Sequence, residues 1–212
     1  MSRDTSPECK KCRRMGEKLF LKGDKCTSDK CVLPRRMGAE GDRRPQTGRR
    51  GRGRKLSAYS IQLREKQKVK SVYGVAETQF HNYFRRAAKQ PNTGEALLTM
   101  LETRLDNVVY RVGFAPSRAM ARQLVRHGHI TVNGKRVNIS SYSLEGGESV
   151  AAKEGKGLAV IKNALANSEP TVPAWLELDR DNARARVVRV PSNEDIKDMS
   201  ANMQLIVELY SK

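Results

Sequence analysis

The positive charge of this 212-residue chain is concentrated in its first two thirds. The chain carries 41 Lys and Arg against 23 Asp and Glu, a net charge of +18. Residues 1–142 contribute 32 basic and 12 acidic side chains, whereas residues 143–212 contribute 9 and 11. Such an imbalance destabilises a compact fold by self-repulsion and favours a polyanionic partner. We therefore expect RNA or DNA to lie against the first two thirds, and the last third to pack internally or to contact proteins.

The sequence predicts no association with membranes. No stretch of 18 apolar residues occurs, and residues 1–11 lack the apolar run of a signal peptide. The only tryptophan, Trp175, lies in the acidic last third, which disfavours a basic membrane-surface helix with large apolar anchors. We expect a cytosolic chain whose thiols stay reduced.

All four cysteines fall between residues 9 and 31, as Cys9-x2-Cys12 and Cys26-x4-Cys31. Two close pairs separated by a loop are the usual arrangement for a tetrahedral thiolate site, and neighbouring cations are expected to lower the pKa of the thiols. The spacing predicts a structural metal site that holds zinc, with an iron–sulfur cluster as the alternative. Disulfides, unrelated thiols and a redox-active pair are weaker interpretations, because the compartment is reducing and the cysteines cluster tightly.

Residues 35–55 are rich in Gly and Arg and nearly free of apolar side chains. Such a segment cannot bury enough surface to fold alone. Because its basic residues are unopposed from residue 43 onward, we predict an arm that orders on nucleic acid, in preference to a solvated linker. The basic residues of the arm are Arg43, Arg44, Arg49, Arg50, Arg52, Arg54 and Lys55.

Four helices are predicted between residues 57 and 128. Apolar residues recur there at helical spacing, and the third helix either continues or kinks on its way to Gly113. Candidate N-caps are Ser57, Asn92 and Ser117, and candidate helix ends are Gly74 and Gly128. Asn92 with Glu95 resembles a capping box.

The fourth predicted helix carries a row of arginines. Arg118, Arg122 and Arg126 recur every fourth residue, which places them on one face, and no acidic residue occurs in residues 115–144. A face that serves only solubility normally mixes the two signs of charge. The pattern therefore favours a phosphate-binding face over a merely solvated one.

The residues after this helix predict a β-hairpin. Asn133-Gly134 is a strong two-residue turn between alternating segments at 130–132 and 137–139, and Lys135 and Arg136 follow the turn directly.

Further along the chain the patterns are shorter. They predict a strand near residues 149–152, a helix over 157–167, and a strand pair at 175–179 and 184–190. Residues 205–210 fit a strand or a helix equally well.

Four segments, residues 7–23, 58–75, 101–139 and 205–212, resemble the bacterial ribosomal protein S-four family of the small subunit, in its four-cysteine form. The third segment resembles the small RNA-binding module named after that family. The resemblance implies an α+β fold, with a mainly helical N-terminal domain that carries a four-cysteine metal knuckle, and a module of helices and a β-hairpin. The implied division is 1–34 knuckle, 35–55 arm, 56–100 helical subdomain, 101–166 RNA-binding module and 167–212 packing on the helical lobe.

The same resemblance implies a structural constituent of the cytoplasmic small ribosomal subunit that catalyses no reaction. It would bind 16S ribosomal RNA directly, nucleate assembly of the subunit body and contribute to translational accuracy. Implied neighbours are the ribosomal proteins S-five and S-twelve, and messenger RNA where it enters the subunit; no membrane partner and no homo-oligomer are expected.

The same resemblance assigns basic residues to the face that contacts RNA. In the knuckle they are Lys10, Lys11, Arg13 and Arg14. In the module they are Arg104, Arg111, Arg118, Arg122, Arg126, Lys135 and Arg136. His127 joins them because it flanks the end of the fourth helix.

Two other functions remain open from the residues alone. The same module is attached to RNA-modifying enzymes, but the three histidines, His81, His127 and His129, lie in no recognisable nucleophile motif, and no phosphate-binding glycine loop occurs. A DNA-binding zinc-finger protein is disfavoured by the module at residues 101–139.

Overall fold

A computed structural model of the chain describes residues 6–37, 57–167, 171–196 and 201–211. These residues form helices and a five-stranded antiparallel sheet, which confirms the predicted α+β class. The chain divides into two compact units, one of Met1–Asn82 with Met199–Lys212, and the other of Tyr83–Asp198. In the described ranges, no helix is long and apolar enough to cross a membrane. The predicted basic arm at 43–55 lies outside the described residues.

The first unit is built from helices. Helix α4 (Ala58–Tyr73) begins after Ser57, whose hydroxyl accepts a hydrogen bond from the Ser60 amide at 3.2 Å. The helix ends where Gly74 adopts a left-handed φ of 61°. Both signals are confirmed. The helices of this unit are α1 (Glu8–Met15), α2 (Asp24–Thr27), α3 (Val32–Met37), α4 (Ala58–Tyr73), the beginning of α5 (Glu77–Ala87) and α10 (Met203–Tyr210).

The undecided segment at 205–210 lies in helix α10. Asn202 caps this helix, since its side chain accepts hydrogen bonds from two amides of the first turn at 3.0 and 3.4 Å. The helix packs on α4, where Gln62 donates to the Glu208 carboxylate at 3.1 Å and Ile206 is fully buried. Helix α10 therefore belongs to the first unit.

The second unit combines a helical layer with the sheet. Its strands follow the order β2-β1-β3-β5-β4, and every pairing is antiparallel. Its core includes Leu105, Val109, Val125, Ile130 and Trp175, all nearly inaccessible to solvent. The elements are α6 (Thr93–Glu102), α7 (Leu105–Arg111), α8 (Arg118–Arg126), β1 (Ile130–Val132), β2 (Lys135–Arg136), β3 (Ser149–Ala152), α9 (Lys156–Asn167), β4 (Leu176–Asp179) and β5 (Arg184–Val187).

The predicted hairpin is confirmed. Asn133 and Gly134 both have positive φ, 49° and 77°, as the tight type I′ turn requires. The turn pairs Val132 with Lys135. Strand β2 stops after two residues, so the predicted alternation does not continue as a strand to Ile139, whose side chain is exposed.

The third predicted helix is interrupted. Helix α6 ends at Glu102, and Arg104 then adopts an extended conformation and forms an isolated antiparallel bridge with Ser143. Helix α7 begins at the next residue, Leu105. The break places Glu102 and Asp106 on either side of a short extended segment, and both of these carboxylates become part of the site described below.

The C-terminal third departs from the predicted division. Residues 167–212 were expected on the helical lobe, but β4 and β5 extend the sheet of the second unit through β3. The physical reason is the alternation in β5, where Ala185 and Val187 are buried between exposed neighbours and need a core to cover them. The predicted subdomain 56–100 is divided as well, because the first unit stops at Asn82.

Glu77 joins three side chains of the first unit. Its carboxylate accepts hydrogen bonds from Lys66 at 2.6 Å, Lys70 at 2.9 Å and the Tyr210 hydroxyl at 3.2 Å. Burial opposes the charged carboxylate, but the two lysines outweigh it and lower the pKa of Glu77 to about 2. The Tyr210 ring also stacks on Phe80 at a centroid distance of 6.4 Å.

We expect the free energy of unfolding of this unit to fall as the pH drops from 4.5 towards about 2. A depressed carboxylate pKa stabilises the fold above the unfolded pKa, and that contribution is lost as the pH falls through the folded pKa. The effect should be small, because the Glu77 side chain is 47% exposed and solvent screens its ion pairs.

Urea unfolding followed by circular dichroism at each pH measures this effect. The variant Glu77→Gln should lack this part of the pH dependence, whereas Glu177→Gln, an exposed residue of β4, serves as the matched control. The same acid sensitivity in Glu77→Gln and wild type would contradict the assignment.

Candidate nucleic-acid interface

Helix α8 presents its arginines as the sequence predicts. The helix begins at Ser117, whose hydroxyl accepts a hydrogen bond from the Met120 amide at 3.3 Å, and the chain leaves it at Gly128 with a left-handed φ of 71°. Ala121 and Val125 are fully buried on the inner face. The opposite face carries Arg118, Arg122 and Arg126.

Arg104 occupies a different environment from the predicted one. Its guanidinium forms two hydrogen bonds to the two oxygens of Asp106, at 3.0 and 2.7 Å, and a third to the Tyr83 hydroxyl at 2.7 Å. Burial opposes the charged guanidinium, but the charge of Asp106 outweighs it and raises the pKa of Arg104. The residue is 1% exposed, because it lies in the extended break between α6 and α7. The predicted place on an exposed RNA face is thus corrected: this arginine points inward.

Asp106 also pairs with the arginine row. Nε and Nη2 of Arg122 donate to Oδ2 of Asp106 at 3.0 and 2.8 Å. The expectation that this row has no acidic partner was based on residues 115–144, and the partner comes from α7 instead. One carboxylate thus joins the buried guanidinium of Arg104 to that of Arg122, whose side chain is 15% exposed.

Glu102 is a second carboxylate that holds an arginine directly, Arg111, and it is linked to Arg118 through Asn107. It accepts hydrogen bonds from Arg111 at 3.0 and 2.8 Å and from Asn107 at 2.6 Å. The side-chain oxygen of Asn107, Oδ1, accepts a hydrogen bond from Arg118 at 2.8 Å. The Arg118 guanidinium also lies over the Tyr110 ring, 4.4 Å from its centroid.

These side chains form what we call the arginine network: Glu102, Arg104, Asp106, Asn107, Arg111, Arg118 and Arg122. Three guanidinium groups bond to the two carboxylates and that of Arg118 bonds to Asn107, so four positive and two negative charges leave an excess of two positive charges. Its acidic members, Glu102 and Asp106, were not predicted from the sequence. Their signal was present, since Glu102 and Asp106 are the only acidic residues between residues 96 and 144.

The remaining predicted residues lie where α8 meets the hairpin. Arg126, His127, Lys135 and Arg136 are exposed. The Arg136 guanidinium donates to the His127 carbonyl oxygen at 3.4 Å and lies against Gly128, where a side chain would collide with it. Because Gly128 has no side chain, it leaves the space that the Arg136 guanidinium occupies.

The tip of the hairpin is held by a polar clamp. The Asn133 side chain accepts a hydrogen bond from the Ser149 amide at 2.9 Å and donates to Glu148 at 3.1 Å. Glu148 also accepts hydrogen bonds from the Tyr142 hydroxyl at 3.0 Å and the Glu145 amide at 2.9 Å. The clamp fixes the turn that precedes the two basic residues of β2.

The basic residues of α1 divide into two groups. Lys10, Arg13 and Arg14 are exposed, as predicted. Lys11 is buried and pairs with Glu8 one turn earlier at 3.1 Å, so its predicted exposure is corrected.

The four cysteines lie on and between the first three helices. Burial and the nearby charges of Cys26, Cys9 and Cys31 raise the pKa of Cys12, against a lowering by a hydrogen bond from the Leu19 backbone. The expected net lowering by neighbouring cations is therefore not found at Cys12. Among the described residues, no three Cys, His, Asp or Glu side chains are close enough together to form a metal site.

The donor set nevertheless fits a thiolate metal in chemical type. All four donors are soft thiols, and the charges of Cys26, Cys9 and Cys31 act on Cys12. Backbone amides also point at two of the sulfur atoms, that of Lys22 at Cys26 Sγ (3.3 Å) and that of Leu19 at Cys12. Amides directed at sulfur are the outer-shell partners that metal-bound thiolates use.

Comparisons with known proteins cover the whole chain. The family model described as Ribosomal protein S4/S9 N-terminal domain matches residues 3–102, and the S4 domain matches residues 103–150, so the two meet at the break after α6. The chain is 54% identical to the small ribosomal subunit protein uS4 of Dictyoglomus thermophilum, 51% to that of Koribacter versatilis and 50% to that of Desulforamulus reducens. Each alignment spans 100% of both chains.

We expect Asp106→Asn to destabilise the second unit by about 3–5 kcal/mol, because it leaves buried Arg104 without its counter-charge. Trp175 is the only tryptophan and is buried in the core of this unit, so its fluorescence during urea unfolding reports on the unit directly. The control Arg126→Ala removes an exposed charge and should change stability by less than about 0.5 kcal/mol. A loss of that small size in Asp106→Asn would show that the network carries no structural role.

Proposed function

Because the chain belongs to the family of the small ribosomal subunit protein uS4, we propose that it is a structural constituent of the small ribosomal subunit that binds ribosomal RNA directly. The observation that carries this proposal is the arginine network beside the basic hairpin, in the segment that matches the S4 domain. The role is one of binding and assembly and includes no catalytic step.

The arginine network contributes pre-ordered donors. Glu102 holds the guanidinium of Arg111 and Asp106 holds that of Arg122, each through two hydrogen bonds. A side chain already held in place loses less conformational entropy when it binds a phosphate. Since A-form RNA hides its major groove, recognition would rely on phosphates, 2′-hydroxyls and shape.

Exposed cations would extend this surface. In the second unit they are Arg126, Lys135 and Arg136, with His127 beside them. In the first unit they are Lys10, Arg13 and Arg14 of α1. The arm at 43–55 would add further phosphate contacts, as its seven unopposed cations suggest.

The family resemblance supports finer roles. We propose that the RNA is 16S ribosomal RNA, that binding nucleates the subunit body, and that the protein contributes to translational accuracy. The neighbours would be the ribosomal proteins S-five and S-twelve, and messenger RNA where it enters the subunit.

We also propose that Cys9, Cys12, Cys26 and Cys31 hold a zinc ion. Four thiolates in two close pairs suit this ion, and closed thiolate sites are structural. Apart from such a site, the segment has little apolar core, with Leu19 and Leu33 among its few buried large side chains. The ion would stiffen the segment that carries the exposed cations of α1.

We expect Arg122→Ala to weaken binding to 16S ribosomal RNA by about 1–3 kcal/mol, the range for a hydrogen bond to a charged group. Arg136→Ala should also weaken binding, and each lost phosphate contact should reduce the slope of log affinity against log salt by about 0.7–0.9. Filter-binding titrations at several salt concentrations measure both quantities.

The matched control is Arg180→Ala, which removes an exposed arginine after β4. Trp175 fluorescence confirms that each variant is folded. If Arg122→Ala and Arg136→Ala bind like Arg180→Ala, the surface is not the RNA interface.

Metal analysis of protein purified without chelators tests the cysteine site. We expect about one zinc per chain, and a loss of helical signal when a chelator removes it, because a structural ion supplies folding energy. Cys12→Ser should lose the metal, whereas Ser28→Ala should keep it. Less than about 0.5 equivalents of metal would contradict the site, and iron with sulfide would identify a cluster in place of zinc.

A further inference from the structure

A cleft that the arginine network does not use lies between helices α8 and α9. It has a volume of about 230 Å³. The residues that line this α8–α9 cleft are Met120, Gln123, Leu124, His127, His129 and Val160. All of them belong to the second unit.

The lining combines an aromatic wall, formed by the two inclined rings of His127 and His129, with an apolar floor. The His127 and His129 rings are 6.1 Å apart and inclined at 47°. Met120 and Leu124 contribute apolar surface, and Val160 on α9 is 39% exposed. A planar ring that enters such a cleft gains stacking and apolar contact together.

The aromatic wall is fixed by its surroundings. The amide of His129 donates to the Leu124 carbonyl oxygen at 3.0 Å, and its carbonyl oxygen accepts a hydrogen bond from the Lys153 amide at 2.8 Å. The His129 ring lies so close to Gly157, in the first turn of α9, that a side chain there would collide with it. The glycine thus allows α9 to hold the ring in place.

Two cations lie close to His127 at the edge of the cleft, one in space and one in sequence. Arg136 donates to the His127 carbonyl oxygen, and Arg126 directly precedes His127 in the chain. A ligand with a phosphate next to a planar ring would match both the edge and the interior. The cleft is smaller than the roughly 300–1,000 Å³ of sites for drug-sized ligands, so it suits one ring system.

We propose that the α8–α9 cleft binds a single unpaired nucleobase of the RNA, stacked on His127, with the Gln123 amide directed to its Watson–Crick edge. Sequence-specific RNA recognition commonly uses unpaired bases stacked on aromatic side chains, and the two-sided amide of Gln can donate and accept at a base edge. This inference rests on the proposed RNA-binding function. It adds a base-reading site to a surface that otherwise contacts phosphates.

Chemical footprinting on 16S ribosomal RNA tests the inference. Dimethyl sulfate and a carbodiimide together modify the Watson–Crick edges of unpaired bases. In the complex with the full wild-type chain, one unpaired base should be protected, and it should become reactive again with His127→Ala and with Gln123→Ala. His127→Ala should weaken binding roughly fivefold to a hundredfold, the range for loss of one base–aromatic stack.

Two further variants keep the test specific. His127→Phe retains a stacking ring and should restore the protection, which a general loss of charge or fold would not do. Lys162→Ala, an exposed residue of α9, removes a charge and should leave the footprint unchanged. Unfolding followed by Trp175 fluorescence shows that His127→Ala is folded.

The outcomes separate the two proposals. If wild type binds the RNA but His127→Ala and Gln123→Ala give the wild-type footprint and affinity, the base site is wrong and the RNA-binding function stands. That result would also follow if the cleft held a protein segment. If wild type fails to bind 16S ribosomal RNA above the affinity of unrelated RNA, the proposed function and the base site both fail.

Discussion

The second unit depends on the ion pairs of Asp106, whose carboxylate lies between the guanidinium groups of Arg104 and Arg122. A buried arginine is costly to desolvate, so it persists only with a close counter-charge and further hydrogen bonds. Asp106 supplies the charge, and Tyr83 supplies a hydrogen bond. The same carboxylate holds the partly buried Arg122 of α8. The break after α6, the start of α7 and the face of α8 are thereby joined at one group.

The acidic residues of the arginine network have a physical purpose. Several arginines on two neighbouring helices repel one another and would oppose the packing of α7 on α8. Glu102 and Asp106 reduce that repulsion without removing the net positive charge. Because each carboxylate uses specific N–H groups, it also fixes the orientation of the guanidiniums it holds. The guanidiniums that these carboxylates hold are therefore ordered without a binding partner.

Features determined by nearby residues could be predicted from the sequence. Ser57, Asn92 and Ser117 cap their helices, and Asn133-Gly134 forms the hairpin turn. What could not be predicted depends on residues distant in the chain. Arg122 and Asp106 are 16 positions apart. Likewise, the apolar face of β5 is buried only when β5 pairs with β3. The inward position of Arg104 has the same origin, since the residue type alone indicates charge and not burial.

The two units differ in when all of their residues have been synthesised. The second unit is continuous in sequence, whereas the first needs α10, which follows it. Tyr210 bonds to Glu77 across 133 positions, and the Asn202 amide bonds to Glu65 across 137. Contacts of such separation form slowly, because the loop must close before they contribute. During synthesis, the unit that carries the arginine network can therefore fold before the helical unit has its last helix. Because its own carboxylates order the arginine network, the network does not need that helix to form.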